Sequence, residues 1–345
     1  MYRDSFDLDN NILVCGLSAV GESGAKVIDL STQKVIKHLD HQFEVKVPVE
    51  DVKITKSFII TSTYKDHYND HYELYIWCKK SFKLLRNVKS DANFILHCNG
   101  IQATEFQDNL YLLSGFDTTW IQRFKCENLF SDIGKDLDPD VIDFRPDGLS
   151  FGPKELLDKN QLFSQYQNYS DCAKTFIYNI LTDNGMDVEF ALRYSDNGDG
   201  EDDIDSEYDM DSALVAFSAP HIAFAPQDIS SETFTNHVQV FNTNSGEEIW
   251  AIPIEEGESR IEELLLHENI LIVTLVRQTA EFGVEYQIFN ISPEQTSPAK
   301  NVFFRSSIKQ HGRIRANNYM IVEEDNEDNL IFFDFFNCDR ESDHS

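Results

Sequence analysis

The segment Gly21-Glu22-Ser23-Gly24-Ala25-Lys26 carries the residue types of a phosphate loop. Glycine amides cradle phosphates and a lysine reaches the terminal one when the spacing is GxxxxGK[ST] and a helix follows. Here Lys26 comes one residue early after Gly21 and follows Ala25. Val27 stands where magnesium binding needs a hydroxyl, and Val27-Ile28-Asp29-Leu30 is β-branched and alternating. The spacing predicts a turn between a strand at 12–15 and a strand at 25–30, with Gly21 and Gly24 supplying permissive φ angles.

Two other clusters could do chemistry. His67 and His71 lie four apart, beside Asp66, Asp70 and Glu73. On a helix that spacing aims both imidazoles at one metal, but a zinc protease motif carries Glu where Tyr68 stands. The flanking residues read as strands, which makes a polar hairpin loop of this segment. The stretch 195–211 holds nine acids: Asp196, Asp199, Glu201, Asp202, Asp203, Asp205, Glu207, Asp209 and Asp211. A calcium loop begun at Ser195 places Gly200 at its sixth position but puts Ser at the first position and at the twelfth, Ser206. The stretch reads instead as a solvated acidic loop, suited to docking a basic partner or to accepting phosphate on Ser206.

The charge of the whole chain supports that use. The net charge is −31, unevenly spread: residues 1–90 hold 13 basic and 12 acidic residues, and 91–345 hold 16 and 48. Such a surface repels phosphate backbones and anionic bilayers, which excludes non-specific nucleic-acid and membrane partners. It attracts basic protein segments. The N-terminal residues lack an apolar signal region, and no apolar run reaches membrane-spanning length. The six cysteines show no CxxC pair, so the expectation is reduced thiols in a cytoplasmic or nuclear protein. The sequons at Asn168 and Asn290 then carry no meaning. His97, His221, His267 and His311 have no partner at motif spacing, and no GxSxG is present. No catalytic, cofactor-binding or metal-binding residue is predicted.

The elements that must position these loops are short strands. Apolar runs such as Phe58-Ile59-Ile60, Leu110 to Leu113, Phe176-Ile177-Tyr178, Leu271-Ile272-Val273 and Ile331-Phe332-Phe333 alternate with polar turns. This pattern means a sandwich, barrel or propeller. A strand ending in an apolar–polar step recurs, with anchors at Asp29, Trp77, Lys125, Tyr194, Asn242, Asn290 and Asp334. Four of the six intervals are 48 residues, one is 44 and one is 69, which points to an insertion near 131–160. That region is rich in Asp, Pro and Gly, and 153–159 is predicted to form one short helix.

The segment VIDLSTQKVIKHL, starting at Val27, resembles the third strand, turn and fourth strand of a WD-repeat blade. Asp29 stands at that family's Asp position, and His41 stands where the next blade's Gly-His pair would begin. The resemblance implies a single all-β domain over 1–345, a β-propeller of seven four-stranded blades. A two-sheet sandwich is the structural alternative. The segment NSGEEIWAIPIEEG at 244–257 resembles the tryptophan strand of a quinoprotein repeat. Trp occurs only at 77, 120 and 250, so the repeating docking tryptophans are absent and Trp250 reads as a blade-packing residue. The functional expectation is a non-catalytic adaptor that binds other proteins through variable loops. The candidate contact residues are Asp136, Asp138, Asp140, Asp143, Asp199, Glu201, Asp202, Asp203, Asp205 and Glu207. The alternative is a propeller enzyme, a quinoprotein-like oxidoreductase or a hydrolase, with its site at the axial mouth.

Overall fold

The computed structural model describes residues 5–17, 24–41, 49–66, 71–91, 101–114, 120–131, 139–142, 150–167, 173–188, 190, 213–225, 237–254, 259–277, 284–291, 299–306, 314–317, 320–324 and 330–334. Within them the strands group into seven sheets, each a meander whose neighbours in sequence are neighbours in space. Sheet 1 is β1 (Phe6–Leu8), β2 (Ile12–Gly16), β3 (Ala25–Asp29) and β4 (Lys34–Leu39). Sheet 2 is β5 (Val49–Ile54), β6 (Phe58–Asp66), β7 (His71–Cys78) and β8 (Leu84–Asp91). Sheet 3 holds β9 (Ala103–Phe106), β10 (Asn109–Ser114), β11 (Trp120–Lys125) and β12 (Asp140–Ile142), with helix α1 (Cys126–Ser131) between the last two. Sheet 4 is β13 (Ser150–Asp158), β14 (Gln161–Gln167), β15 (Ala173–Asn179) and β16 (Asn184–Val188).

Sheet 5 is β17 (Leu214–Ser218), β18 (His221–Ala225), β19 (His237–Asn242) and β20 (Glu248–Pro253). Sheet 6 is β21 (Ser259–His267), β22 (Ile270–Arg277), β23 (Val284–Asn290) and β24 (Ala299–Ser306). Sheet 7 shows three strands among the described residues, β25 (Ile314–Ala316), β26 (Met320–Glu324) and β27 (Leu330–Asp334). Seven separate meanders are incompatible with a two-sheet sandwich.

The chain packs as two compact units. One comprises Met1–Asp147, Pro153–Leu162 and Tyr178–Asn184; the other comprises Gly148–Gly152, Phe163–Ile177 and Gly185–Ser345. In the first, the buried face of sheet 1 (Val14, Ala25, Val27, Leu39) meets Val49, Val52, Ile59, Tyr75 and Trp77 of sheet 2. In the second, β22 packs in both directions. Leu271, Val273 and Leu275 join the core shared with sheet 5, while Ile272 joins Ile314 and Ile321 of sheet 7. A strand covered on both faces has no polar side to show, and Ile270 to Val273 of β22 are an unbroken apolar run. Each such side chain contributes about 1.5–3 kcal/mol when fully buried. Trp250 is half-buried against the core of sheets 5 and 6, the packing role its sequence context suggested.

The phasing at the start of the chain is as the sequence predicts. The segment that resembled a phosphate loop leads into β3, which pairs with β2 from Ile12↔Asp29 to Gly16↔Ala25, and Lys26 lies on a strand where a phosphate loop needs a helix. Gly21 lies outside the described residues. Gly24 has φ +99°, and a Cβ there would stand 1.9 Å from the Leu39 carbonyl oxygen, so both backbone conformation and space demand glycine.

Two expectations fail in the fourth repeat. The predicted helix at 153–159 is instead strand as far as Asp158, part of β13, the first strand of sheet 4, with Lys159 in the turn that follows. Pro153 sits in a strand bordering the sheet, where its missing N–H need not face a partner. Tyr194 lies outside the described residues, and the third strand of sheet 4 is β15, ending at Asn179. Asn179 is the true counterpart of Asp29 and Asn242. All three close the turn after a third strand by accepting backbone N–H bonds, from Thr32 to Asp29, from Leu181 and Thr182 to Asn179, and from Asn244 to Asn242. Asn179 lies 54 residues after Lys125 and 63 before Asn242, so most of the extra length falls after β15, on the side of the acidic stretch. Of 131–160, Asp140–Ile142 and Ser150–Asp158 are strands.

Candidate functional site

Sheet 2 carries the densest buried polar group among the described residues. Register aligns Ile59↔Trp77, Thr61↔Tyr75 and Thr63↔Glu73 across β6 and β7, so one face runs from apolar to polar along the strands. His41, two residues beyond the end of β4, lies over this face. Its ring stacks on Tyr75 at 4.5 Å and on Trp77 at 5.5 Å between centroids. His41 Nε2 is 2.8 Å from Thr61 Oγ1, and Trp77 Nε1–H donates to the same oxygen at 3.1 Å. Indole can only donate, so a Thr61 O–H donated to Nε2 completes the chain with a neutral imidazole. Burial lowers the His41 pKa from 6.5 to about 4, although Asp40 and Glu73 pull it upward.

Beyond Tyr75 the face ends at Glu73, itself buried. The Tyr75 hydroxyl donates to Glu73, and Asn87 Nδ2 donates to Glu73 Oε2 at 3.2 Å. Burial and then the Glu73 hydrogen bond push the tyrosine pKa upward. A histidine beside a threonine hydroxyl is the pairing a nucleophile would need. Thr61, however, is wholly buried, so no substrate carbonyl reaches it. The group holds sheet 1 to sheet 2.

The buried Asp7 and Asp51 and the half-buried Glu105 also act as fasteners within this unit. Asp7 on β1 accepts from Ile54 N at 2.7 Å. Asp51 on β5 accepts from Ser5 Oγ at 2.7 Å and from Ile101 N, ahead of β9. Glu105 on β9 accepts from Ser57 N at 2.6 Å and Ser57 Oγ at 2.8 Å, in the β5–β6 turn. In the other unit Tyr286 on β23 faces the buried Glu323 on β26, and its pKa is raised by burial and by that carboxylate.

The predicted contact residues are mostly out of view. Asp136, Asp138, Asp143, Asp199, Glu201, Asp202, Asp203, Asp205 and Glu207 lie outside the described residues. Asp140 is placed. It sits exposed on β12 and pairs with Arg123 of β11, accepting from Nη2 at 2.8 Å and Nε at 3.3 Å. Part of its charge is therefore met within its own sheet. His67 also lies outside the described residues, between β6 and β7, whose pairing from Phe58↔Cys78 to Asp66↔His71 makes this segment a hairpin connection.

Among the described residues no three His, Cys, Asp or Glu side chains gather as a metal site, and no helix is long and apolar enough to cross a membrane. Cys78 and Cys126 are free thiols, and burial pushes Cys126 up to about 12.

Sequence reasoning missed Asp7, Asp51 and Glu105, and placed Glu73 only beside the His67–His71 pair. The available signal was a lone acid within an otherwise apolar or alternating strand, as in YELYIW around Glu73. It marks a buried partner but does not say which one.

No protein-family model and no curated protein sequence matches the chain. Solved structures do resemble it. Kluyveromyces lactis Hsv2 aligns with TM-score 0.55 and 12% identity over 96% of this chain and 90% of that one. The β-propeller domain of Myceliophteria thermophila Cps50 (Swd1) aligns with TM-score 0.53 and 9% identity over 96% and 97%. The β-propeller domain of the Trilobed protease from Pyrococcus furiosus aligns with TM-score 0.53 and 9% identity over 96% and 94%. With the seven meanders, these likenesses make the fold a β-propeller.

Proposed function

We propose that this chain is a non-catalytic protein-interaction propeller, an adaptor acting as one domain over 1–345 and docking basic segments of partner proteins through its acidic loops. The observation that carries this reading is the excess of 48 acidic over 16 basic residues in 91–345, concentrated between strands of a repeating scaffold. Loops on a rigid β framework vary without cost to the core, and a concentrated negative field steers cationic partners. Asp7, Asp51, Glu73 and Glu105 already accept hydrogen bonds within the fold, and acids between the strands supply the contact to a partner. The contact residues proposed are Asp136, Asp138, Asp140, Asp143, Asp199, Glu201, Asp202, Asp203, Asp205 and Glu207, and the setting is cytoplasmic or nuclear.

The test is affinity capture from native cells with three baits: the intact chain, a deletion of 199–211, and Asp→Asn changes at 136, 138, 140 and 143. The altered baits should lose partners whose binding to the intact chain weakens as salt is raised. An unchanged set of captured proteins with both altered baits overturns the docking role of these loops.

A further inference from the structure

In an acidic protein the outer strand of sheet 1 stands apart. All of Lys34 through His38 is exposed on β4, and Val35 and Ile36 are each 47% accessible. The strand contains two lysines, one histidine and no acid. Lys26 lies directly opposite His38 on β3. At the turn, Asp29 lies opposite Lys34 but accepts from Ser31 Oγ at 2.6 Å and Thr32 N at 2.8 Å. β4 ends the order of its sheet, so one backbone edge has no strand beside it among the described residues.

Among the other outer strands β24 also carries two basic residues, Lys300 and Arg305, and no acid, whereas β8, β12, β16 and β20 differ. β8 buries Leu85 and Arg86, and Arg86 Nη2 donates to the Asn128 carbonyl of α1 at 3.0 Å. β12 and β16 carry Asp140 and Asp187, and β20 carries Glu248 and Pro253. A register shift interrupts β4 at Ile36, but comparable shifts interrupt β8, β20 and β24, so the bulge belongs to the repeat and does not single out β4.

We propose that β4 is a docking edge for an extended, acidic segment of a partner protein, which adds to sheet 1 as a further strand. Main-chain hydrogen bonds along the free edge supply affinity, and alternate side chains supply choice. Val35 and Ile36 offer apolar contact, and Lys34, Lys37 and Lys26 favour glutamate or aspartate between the partner's apolar residues. The same lysines argue against a second copy of this chain, because pairing β4 with itself sets lysine against lysine. The site is opposite in charge preference to the acidic loops.

The experiment uses the full chain and a fluorescein-labelled ten-residue peptide alternating glutamate with valine or isoleucine. A control peptide carries lysine for glutamate. Anisotropy should show saturable binding of the acidic peptide, weakened at least tenfold by Lys34→Glu with Lys37→Glu, and at least tenfold by Val35→Asn with Ile36→Asn. These positions are exposed, and circular dichroism verifies that each variant is folded. Deleting 199–211 should leave acidic-peptide binding unchanged, which separates this proposal from the loop-docking one. No saturable binding, or binding indifferent to both variants, overturns it. So does sedimentation showing that the wild type self-associates and that Lys34→Glu with Lys37→Glu dissociates it.

Discussion

His41 shows how a single side chain ties two sheets together. The unfolded chain takes up a proton near the usual 6.5, whereas the folded chain does so near 4 because burial disfavours the imidazolium. Between those values the unfolded state binds more protons. The contribution is therefore fully present above about pH 6.5 and is lost as pH falls, the loss levelling off below about 4 at a total on the order of 3 kcal/mol. Urea unfolding of the wild type and His41→Gln separates this group from other titrating residues. The stability advantage of the wild type should shrink steadily between about pH 7 and pH 4.5. A constant difference would mean that His41 is not held neutral. Its placement was legible in part: the sequence put His41 at the start of the second repeat, but only the fold brings it to Thr61, 20 residues on, and to Trp77.

At the scale of elements, the turns carry the repeat. Asp29, Asn179 and Asn242 each end a third strand and organise the turn that follows, a local interaction that the sequence records directly. Asn179 escaped notice because VEFALRYSDN also alternates, and alternation alone does not tell which run becomes the third strand. The strand at 150–158 escaped for a related reason, since Pro153 and the charges after it read locally as a helix start. Pairing with β14 outweighs that preference. Gly24 tests the turn geometry. Gly24→Ala forces a side chain into the left-handed region and against the Leu39 carbonyl, so the loss should be on the order of 2 kcal/mol or more in chemical denaturation. A variant as stable as the wild type would mean that the approach of β4 to this turn is not required.

Across the whole molecule, a net charge of −31 sets self-repulsion against burial. Added sodium chloride shortens the range of that repulsion, from about 30 Å at ~10 mM to about 8 Å near physiological strength. Thermal unfolding should therefore move to higher temperature between these conditions, and a midpoint that falls with salt would show that attractive ion pairs dominate instead. Charge, the strand-rich pattern and the repeat period are properties of the chain alone, because each follows from residue type and near-neighbour spacing. Sequence by itself therefore determined an acidic all-β repeat protein and the phase of its first blade. Tertiary structure decided the rest: which strand fills the fourth repeat, that Asp7, Asp51, Glu73 and Glu105 are fasteners, and that β4 keeps its lysines and apolar side chains in solvent. The bonds of Asp7, Asp51 and Glu105 join groups 46 to 50 residues apart, and hydrogen-bond satisfaction at such contacts leaves no mark in local sequence.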